Sequence, residues 1–150
     1  MVKALTRTVF VGTYRHNVDD KNRLAIPAKW RAAVRGTQEF YLIPDPKNCL
    51  VVLPGSAMNK MLERADDISL GEYERRDVLR LIGSRAHGTP CDNQGRIQLT
   101  EGLLRHAGVS KEAVLVGVLT RFEIWSPVRW AETDRNAITN FAEATKQLGL

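Results

Sequence analysis

DDKNRLAIP at residues 19–27 and DNQGRIQLT at residues 92–100 are the two stretches that decide the fold. The second begins 73 residues after the first (92 minus 19). Each opens with an Asp-x-x-x-Arg turn and continues with apolar residues at alternate positions, Leu24 and Ile26 in one stretch and Ile97 and Leu99 in the other. Alternation with a period of two indicates a strand with one buried face. The sequence therefore predicts two copies of one turn-and-strand unit.

The match between the two copies extends beyond these stretches in the same register. EFYLI at 39–43 falls on EAVLV at 112–116, and CLVVLP at 49–54 falls on FEIWSP at 122–127, so that Pro54 aligns with Pro127 without a gap. Few of these pairs are identical, so the repeat rests on apolar residues matching apolar residues over about forty positions. We therefore predict one β-β-(short α)-β-β module, present twice.

Turn and cap residues occur at the same positions in each copy. The fourth turn position is Asn22 in the first copy and Gly95 in the second, the two residue types that most readily adopt a positive φ, so we expect a left-handed residue at both. A short helix follows each hairpin and is expected to end at Gly36 and Gly108. These elements are predicted as helices at 27–34 and 100–107 and as strands at 40–43, 49–53, 113–118 and 121–125.

Longer helices are predicted outside the repeated units. Apolar residues at helical spacing indicate helices at 56–68 and 72–84, which would form a hairpin between the copies, and at 128–147. In the second of these, Val78, Leu81 and Ile82 are expected to face inward, and Trp130 in the third is expected to be a packing anchor. The predicted domains are a first module at 12–58, a helical linker at 59–84, a second module at 85–128 and a C-terminal helix or tail at 129–150.

The composition is that of a folded protein with a modest positive charge. The chain has 150 residues, 43% of them hydrophobic, a net charge of +5 and an isoelectric point near 9.5. This charge permits a polyanionic partner without requiring one. There is no run of about 18 apolar residues and no signal-peptide pattern, so we expect a cytoplasmic protein without a membrane partner. Cys49 and Cys91 are interpreted as buried, reduced thiols, with a disulfide left open.

Basic residues are concentrated around and after the first turn. The window from 21 to 35 contains no acidic residue, whereas the corresponding part of the second copy contains Glu101, so the first copy should be the more positive. We expect Lys21, Lys29 and Arg31 to attract phosphate independently of sequence. The five basic residues of the window are Lys21, Arg23, Lys29, Arg31 and Arg35.

Two arginines, Arg23 and Arg96, each follow an aspartate by four residues. Across a tight turn, Asp19 or Asp92 can hold the guanidinium in one orientation or cap backbone N–H groups. The planar donor groups of arginine suit phosphate oxygens and the O6 and N7 edge of guanine. For either pair alone, a structural clip that meets no ligand is an equal alternative. The candidate DNA contacts are Arg23, Arg96, Lys21, Lys29 and Arg31, and the candidate turn and orienting residues are Asp19, Asp92, Asn22 and Gly95.

These residues resemble the MraZ family of bacterial transcriptional regulators. The resemblance covers about residues 10–131 and rests on FVGTY at 10–14, on 19–31, on 92–99, and on LVG at 115–117 through RFEIW at 121–125. It implies an α+β, mainly β fold in which two tandem SpoVT-AbrB-like modules form a duplicated swapped-hairpin barrel. Family members commonly have Arg at the position of Val11 and Gly at that of Asn22, so a phosphate contact near the opening strand is expected to be weaker, whereas Asn22 should preserve the turn.

The resemblance also implies a partner and an assembly. Membership of this family implies a ring-shaped homo-oligomer that binds double-stranded DNA at direct repeats in the promoter of the division and cell-wall gene cluster. The implied activity is sequence-specific regulation of that cluster, with repression favoured, by a protein associated with the nucleoid. Repeated subunits on repeated sites would gain avidity without stronger individual contacts.

Two other classes of function compete with DNA binding. An enzyme would use Ser84, His87 and Asp92, and the spacing from His87 to Cys91 could hold a metal, but no catalytic or metal-binding motif is complete. The sequence therefore predicts no enzyme, cofactor, metal or small-molecule substrate. The other alternative is a ring-forming assembly or adaptor protein that binds protein partners, which Val11 favours and the basic window opposes.

Overall fold

The computed structural model describes residues 9–33 and 39–150, so the predictions for Val34, Arg35 and Gly36 lie outside the described residues. The strands are β1 (Thr13–Asn17), β2 (Arg23–Ala25), β3 (Glu39–Pro44), β4 (Leu50–Pro54), β5 (His87–Pro90), β6 (Arg96–Gln98), β7 (Glu112–Gly117) and β8 (Phe122–Trp125). The helices are α1 (Ala28–Ala33), α2 (Gly55–Asp66), α3 (Tyr73–Arg85), α4 (Glu101–Ala107), α5 (Pro127–Thr139) and α6 (Phe141–Lys146).

The first strand of each copy pairs with a strand of the other copy. β1 lies antiparallel beside β7, with Tyr14 opposite Leu115. β5 lies antiparallel beside β3, with His87 opposite Leu42. Tyr14 and His87 are 73 residues apart, and so are Leu42 and Leu115. The two pairings are therefore the same arrangement made once by each copy, and the copies interleave.

The strands form two separate sheets. The larger sheet has six strands in the order β1-β7-β8-β4-β3-β5, and β2 pairs with β6 in a two-stranded ribbon. Within the described residues the larger sheet does not close, because β1 and β5 are its edges and the ribbon strands, three residues each, pair with one another. The predicted barrel is therefore wrong for these residues. The coarser prediction of a sheet-rich α+β protein with antiparallel strands is confirmed.

Burial confirms the alternation that predicted the ribbon strands. Leu24, Ile26, Ile97 and Leu99 are almost completely buried. They belong to one core that also takes residues from β3, β4, β7 and β8. Since this core draws on both copies, neither copy encloses it alone.

Aromatic rings form the centre of that core. The ring of Trp30 on α1 lies 4.9 Å from Phe122 and 5.6 Å from Phe10, measured between centroids. Phe40 approaches Phe122 at 5.8 Å. Tilted and edge-to-face ring pairs stabilise a core beyond the area they bury. Phe10 also lies 5.5 Å from Phe122, so Phe122 meets rings from three separate segments and is the hub of the cluster.

Removing the hub should destabilise the whole protein. Phe122→Ala is expected to lower the free energy of unfolding by about 3–5 kcal/mol, because it leaves a cavity among fully buried rings. Val128→Ala is the control, since Val128 is 80% exposed, and it should change stability by less than about 0.5 kcal/mol. Urea unfolding followed by far-ultraviolet circular dichroism measures both. Similar losses in the two variants would contradict this description of the core.

The last hairpin of the second copy is one residue shorter than that of the first. Pro44 is opposite Leu50 in β3–β4, whereas Gly117 is opposite Phe122 in β7–β8. Leu50 therefore corresponds to Phe122 at an offset of 72 (122 minus 50). The ungapped alignment is wrong for this strand, because the shorter loop shifts it by one position. The residue that corresponds to Pro54 is Ser126.

The linker helices α2 and α3 begin and end within two residues of their predicted bounds. The predicted burial of α3 is wrong in part, since Val78 and Leu81 are 55% and 53% exposed. Ile82 alone of the three predicted residues packs against the small apolar cluster of β3, β4 and α2. The two helices pack against β3 and β4, and the surface that they cover there does not bury all of their apolar residues.

The C-terminal segment forms two helices instead of one. Asn140, between α5 and α6, has a non-helical φ of −111°. Trp130 packs 5.7 Å from Trp125, centroid to centroid, as predicted. Among the described residues, no helix combines the length and the apolar character needed to cross a membrane.

Candidate nucleic-acid interface

The carboxylate of Asp19 organises the first turn. Its Oδ1 accepts hydrogen bonds from the backbone N–H groups of Lys21 (3.0 Å) and Arg23 (2.8 Å), and its Oδ2 accepts one from Nε of Arg23 (2.8 Å). The backbone N–H of Asn22 donates to the Asp19 carbonyl at 3.0 Å. One side chain thus closes the turn and fixes the guanidinium that follows it.

The second turn repeats this geometry with different residues. Oδ1 of Asp92 accepts from the backbone N–H groups of Gln94 (2.9 Å) and Arg96 (2.8 Å), and Oδ2 accepts from Nε of Arg96 (2.8 Å). The fourth residues, Asn22 and Gly95, have φ values of 60° and 78°, which is the left-handed conformation expected from the sequence. The Asp-x-x-x-Arg pattern therefore specifies one local structure in both copies.

Pairing of β2 with β6 places the two turns side by side. The carbonyl of Asn22 accepts from the N–H of Leu99, and the carbonyl of Gly95 accepts from the N–H of Ile26, both at 2.8 Å. Across the join, Nη1 of Arg96 lies 3.8 Å from Oδ2 of Asp19. The four charged side chains thus form a single surface feature, which we call the paired-turn patch: Asp19, Arg23, Asp92 and Arg96.

The paired-turn patch is oriented and still accessible. Its side chains are 26–37% exposed. Hydrogen bonds, chiefly those from the backbone N–H groups of Arg23 and Arg96, lower the pKa of Asp19 and Asp92 against the opposing effect of burial. Both carboxylates are therefore charged at neutral pH. With two arginines and two aspartates, the patch has no net charge of its own.

The flanking basic residues of the first copy lie in two different places. Lys21 and Lys29 are exposed. Arg31 instead packs across the second turn, where a Cβ added at Gly95 would overlap its guanidinium. Nε of Arg31 is buried and has no hydrogen-bond partner among the described residues. Arg31 is thus a contact between α1 of one copy and the turn of the other.

Gln98 supports the first turn and was not among the residues singled out from the sequence. Its Nε2 donates to the carbonyl of Lys21 at 2.7 Å, so the second copy supports the first turn. The corresponding residue of the first copy is Ala25, which cannot make the reciprocal contact. The available signal in the sequence was a long amide side chain at an outward strand position where the first copy has an alanine.

The residues considered for catalysis do not come together. Ser84 and His87 line the same pocket, but Asp92 lies in the second turn with its carboxylate bonded to Arg96. In the part of the chain that the structure describes, no three His, Cys, Asp or Glu side chains are grouped to hold a metal. Cys49 and Cys91 are unpaired thiols; Cys49 is buried as expected, whereas Cys91 is only half-buried, and burial raises the pKa of both.

Comparison with known proteins places these two turns in a known context. A family model described as "MraZ protein, putative antitoxin-like" matches residues 9–81 and, a second time, residues 84–149. The chain belongs to the MraZ family. The resemblance inferred from the turns is confirmed, and the two matched segments correspond to the two copies of the repeat.

Several MraZ proteins are similar to this chain over most of their length. The protein from Nocardioides sp. is 36% identical over 138 residues, which cover 92% of this chain and 94% of the relative. Those from Thermomicrobium roseum (37% over 123 residues, 82% and 85%) and Clostridium tetani (34% over 144 residues, 95% and 100%) are comparable. All three are named "Transcriptional regulator MraZ" and none is named as an enzyme, which agrees with the prediction that the chain is not an enzyme.

Gly95→Ala should destabilise the protein. A non-glycine residue in a left-handed conformation costs about 1–3 kcal/mol, and the new Cβ would also displace Arg31. Gly95→Ala combined with Arg31→Ala should regain the part of the loss that is due to overlap. Asn22→Gly is the control for the other turn and should change the urea midpoint little. Full stability of Gly95→Ala would show that neither the φ value nor the contact with Arg31 holds.

Acid should weaken the fold through the two turn aspartates. Their pKa values are lowered in the folded protein, so their contribution to stability is present above the unfolded pKa and is lost as pH falls through the folded one. The urea midpoint should fall between about pH 5 and pH 2 in the wild type, and fall less in Asp19→Asn/Asp92→Asn. Asp20→Asn, at an exposed position of the first turn, should keep the wild-type profile. A double variant with an unchanged acid profile would contradict the assignment.

Proposed function

We propose that the chain is a sequence-specific DNA-binding transcriptional regulator that meets double-stranded DNA through the paired-turn patch. The observation that carries the proposal is the presence of two turns with the same hydrogen bonds, one from each copy, held together by β2 and β6. The name shared by the relatives, transcriptional regulator, supports the same function. Two arginines on one surface can contact phosphates or base edges, which recur along a duplex.

The nitrogen atoms of each arginine have two different roles. Nε is bonded to the aspartate of its own turn, which leaves the terminal nitrogens to address a phosphate or the O6 and N7 edge of guanine. A good contact of this kind contributes about 1–3 kcal/mol of discrimination between bases. Asp19 and Asp92 orient Arg23 and Arg96 and do not touch DNA themselves, because carboxylates repel phosphate.

General attraction to DNA must come from outside the patch, since the patch is neutral in sum. Lys21 and Lys29 are exposed and lie beside it in the chain, so we assign them the phosphate contacts that do not depend on sequence. Arg31 was a candidate for the same role. Its position across Gly95 supports a different one, in which it braces the second turn.

Assembly completes the proposed mechanism. One pair of turns reads only a few base pairs, so useful specificity requires several chains on repeated sites. We propose a ring-shaped homo-oligomer on direct repeats in the promoter of the division and cell-wall gene cluster, which represses that cluster by blocking polymerase. Exposed apolar residues of the helical hairpin support contact between chains: Leu62, Leu70, Val78 and Leu81.

The fold proposed for this function is the swapped-hairpin arrangement of AbrB-like modules. The exchange of β1 and β5 between the copies supports it. The module bounds 12–58 and 85–128, with a linker at 59–84 and a tail at 129–150, remain our proposal. The proposed location is the cytoplasm, in association with the nucleoid.

A ring-forming assembly or adaptor protein is the second candidate function. Val11, Val118 and Leu119 are 55%, 41% and 58% exposed. The two backbone hydrogen bonds between Phe10 and Leu119, at 2.8 and 2.9 Å, bring these residues together. An apolar surface at Val11, where the family resemblance implies an arginine, is suited to a protein partner, so this observation favours the alternative.

Binding to labelled duplexes separates the two functions. The protein should prefer the promoter of its own gene cluster over a scrambled duplex of equal length, with a preference that falls as salt rises. Arg23→Ala and Arg96→Ala should each reduce the preference about 10-fold or more. Arg15→Ala is the matched control, because Arg15 is an exposed arginine that pairs with Glu112 and not with a turn aspartate, and it should retain the preference.

Oligomer size and the urea midpoint are measured for every variant, so that loss of binding is not confused with loss of structure. Equal affinity of the intact wild-type protein for both duplexes would overturn the regulator proposal and favour the adaptor function.

A further inference from the structure

A pocket of about 590 Å³ lies where the end of α3 and the start of β5 face α4. This volume is within the range of small-molecule sites, about 300–1,000 Å³. No Asp or Glu is among the described residues that line it. The polar and basic residues of its wall are Ser84, Arg85, His87, Thr100, Arg105 and His106.

The corresponding positions of the first copy do not have this character. At the offset of 73, His87 and Leu103 correspond to Tyr14 and Trp30. Those two rings pack edge to face at 5.2 Å, and Nε1 of Trp30 donates to the carbonyl of Val11 at 3.1 Å. Smaller residues at these positions in the second copy leave room for the pocket.

The basic residues of the pocket are also confined to the second copy. Arg85 corresponds to Gly12, and the residues that correspond to Arg105 and His106 are alanines, at positions 32 and 33. The cluster is therefore not a consequence of the repeated fold. Two arginines and two histidines line this cavity in the second copy, and the first copy has neither residue type at the corresponding positions.

Few acidic groups within the described parts of the chain balance the positive charge of the pocket. The ion pairs of the described residues do not include Arg85. Arg105 has one carboxylate near it, Glu101 at 4.0 Å, and both side chains are more than 70% exposed. Nε2 of His106 lies 2.7 Å from the carbonyl of Asp45, so this nitrogen carries a proton and donates. Among the described residues, Arg85 and Arg105 have only the exposed carboxylate of Glu101 within ion-pair distance, so their positive charges are weakly balanced and a bound anion would reduce the repulsion between them.

We propose that this pocket binds the phosphate group of a small phosphorylated molecule. Arg85 and Arg105 would supply planar donors suited to phosphate oxygens, and the hydroxyl of Thr100, which accepts from the N–H of Leu103, still has its proton to donate. His87 begins β5, whereas Asp92 follows its end, so the His87 side of the pocket and the second turn are separated by the length of that strand, about 13 Å. We assign the site to a free molecule and not to the DNA at the paired-turn patch.

Equilibrium dialysis of the full-length protein against radiolabelled pyrophosphate tests the proposal. Wild-type protein should show saturable binding with one site per chain. Arg85→Gln/Arg105→Gln should bind at least about 10-fold more weakly, since two charge-assisted contacts are lost. Arg75→Gln/Arg80→Gln is the matched control, because it removes two exposed arginines of α3 that do not line the pocket. No saturable site, or an equal loss in the two variants, would overturn the proposal.

A second measurement distinguishes a free ligand from DNA. Affinity for a scrambled duplex should fall equally in Arg85→Gln/Arg105→Gln and in the control, because each variant removes two positive charges. A much larger fall in the pocket variant would show that DNA phosphate occupies the pocket, which would overturn the assignment to a small molecule.

Discussion

Antiparallel pairing of Arg23–Ala25 with Arg96–Gln98 is the interaction on which the rest of the structure depends. Strands of three residues do not persist alone in water, since even a longer isolated hairpin is marginal. Each is held by its partner from the other copy and by the core beneath, where Leu24 and Ile97 are fully buried. The same pairing sets the distance between the two Asp-x-x-x-Arg turns. Folding and the proposed recognition of DNA therefore rest on one contact between the copies.

The two copies keep one backbone plan and have diverged in what they attach to it. Arg31 of the first copy covers the turn of the second, where only glycine leaves room for it. Gln98 of the second copy supports the turn of the first. The second copy also replaces the rings at Tyr14 and Trp30 with smaller residues and gains a basic pocket. The two copies therefore share the backbone arrangement of the paired turns and differ in the side chains around it.

Local structure was predictable from the sequence wherever one residue type has one physical consequence. Aspartate four residues before arginine, with Asn22 or Gly95 between, specifies the turn, and alternating apolar residues specify the ribbon strands. Pairing between copies was not predictable in this way, because a strand such as β1 has the same pattern whichever partner it meets. The one-residue shift of β8 was hidden because Cys49 and Leu50 are both apolar and match Phe122 equally well by character. The exposure of Val78 was not predictable either, because the sequence does not specify how much apolar surface β3 offers to α3.

Native-state hydrogen exchange of the backbone N–H groups of Ile26 and Leu99 tests the central claim most directly, because these two groups carry the hydrogen bonds between the turns. If the copies form one cooperative unit, both groups should exchange only through global unfolding, with the same free energy of opening and with slower exchange than α6. Exchange of either group through a local opening of much lower free energy would show that the copies separate without unfolding, and would contradict the account.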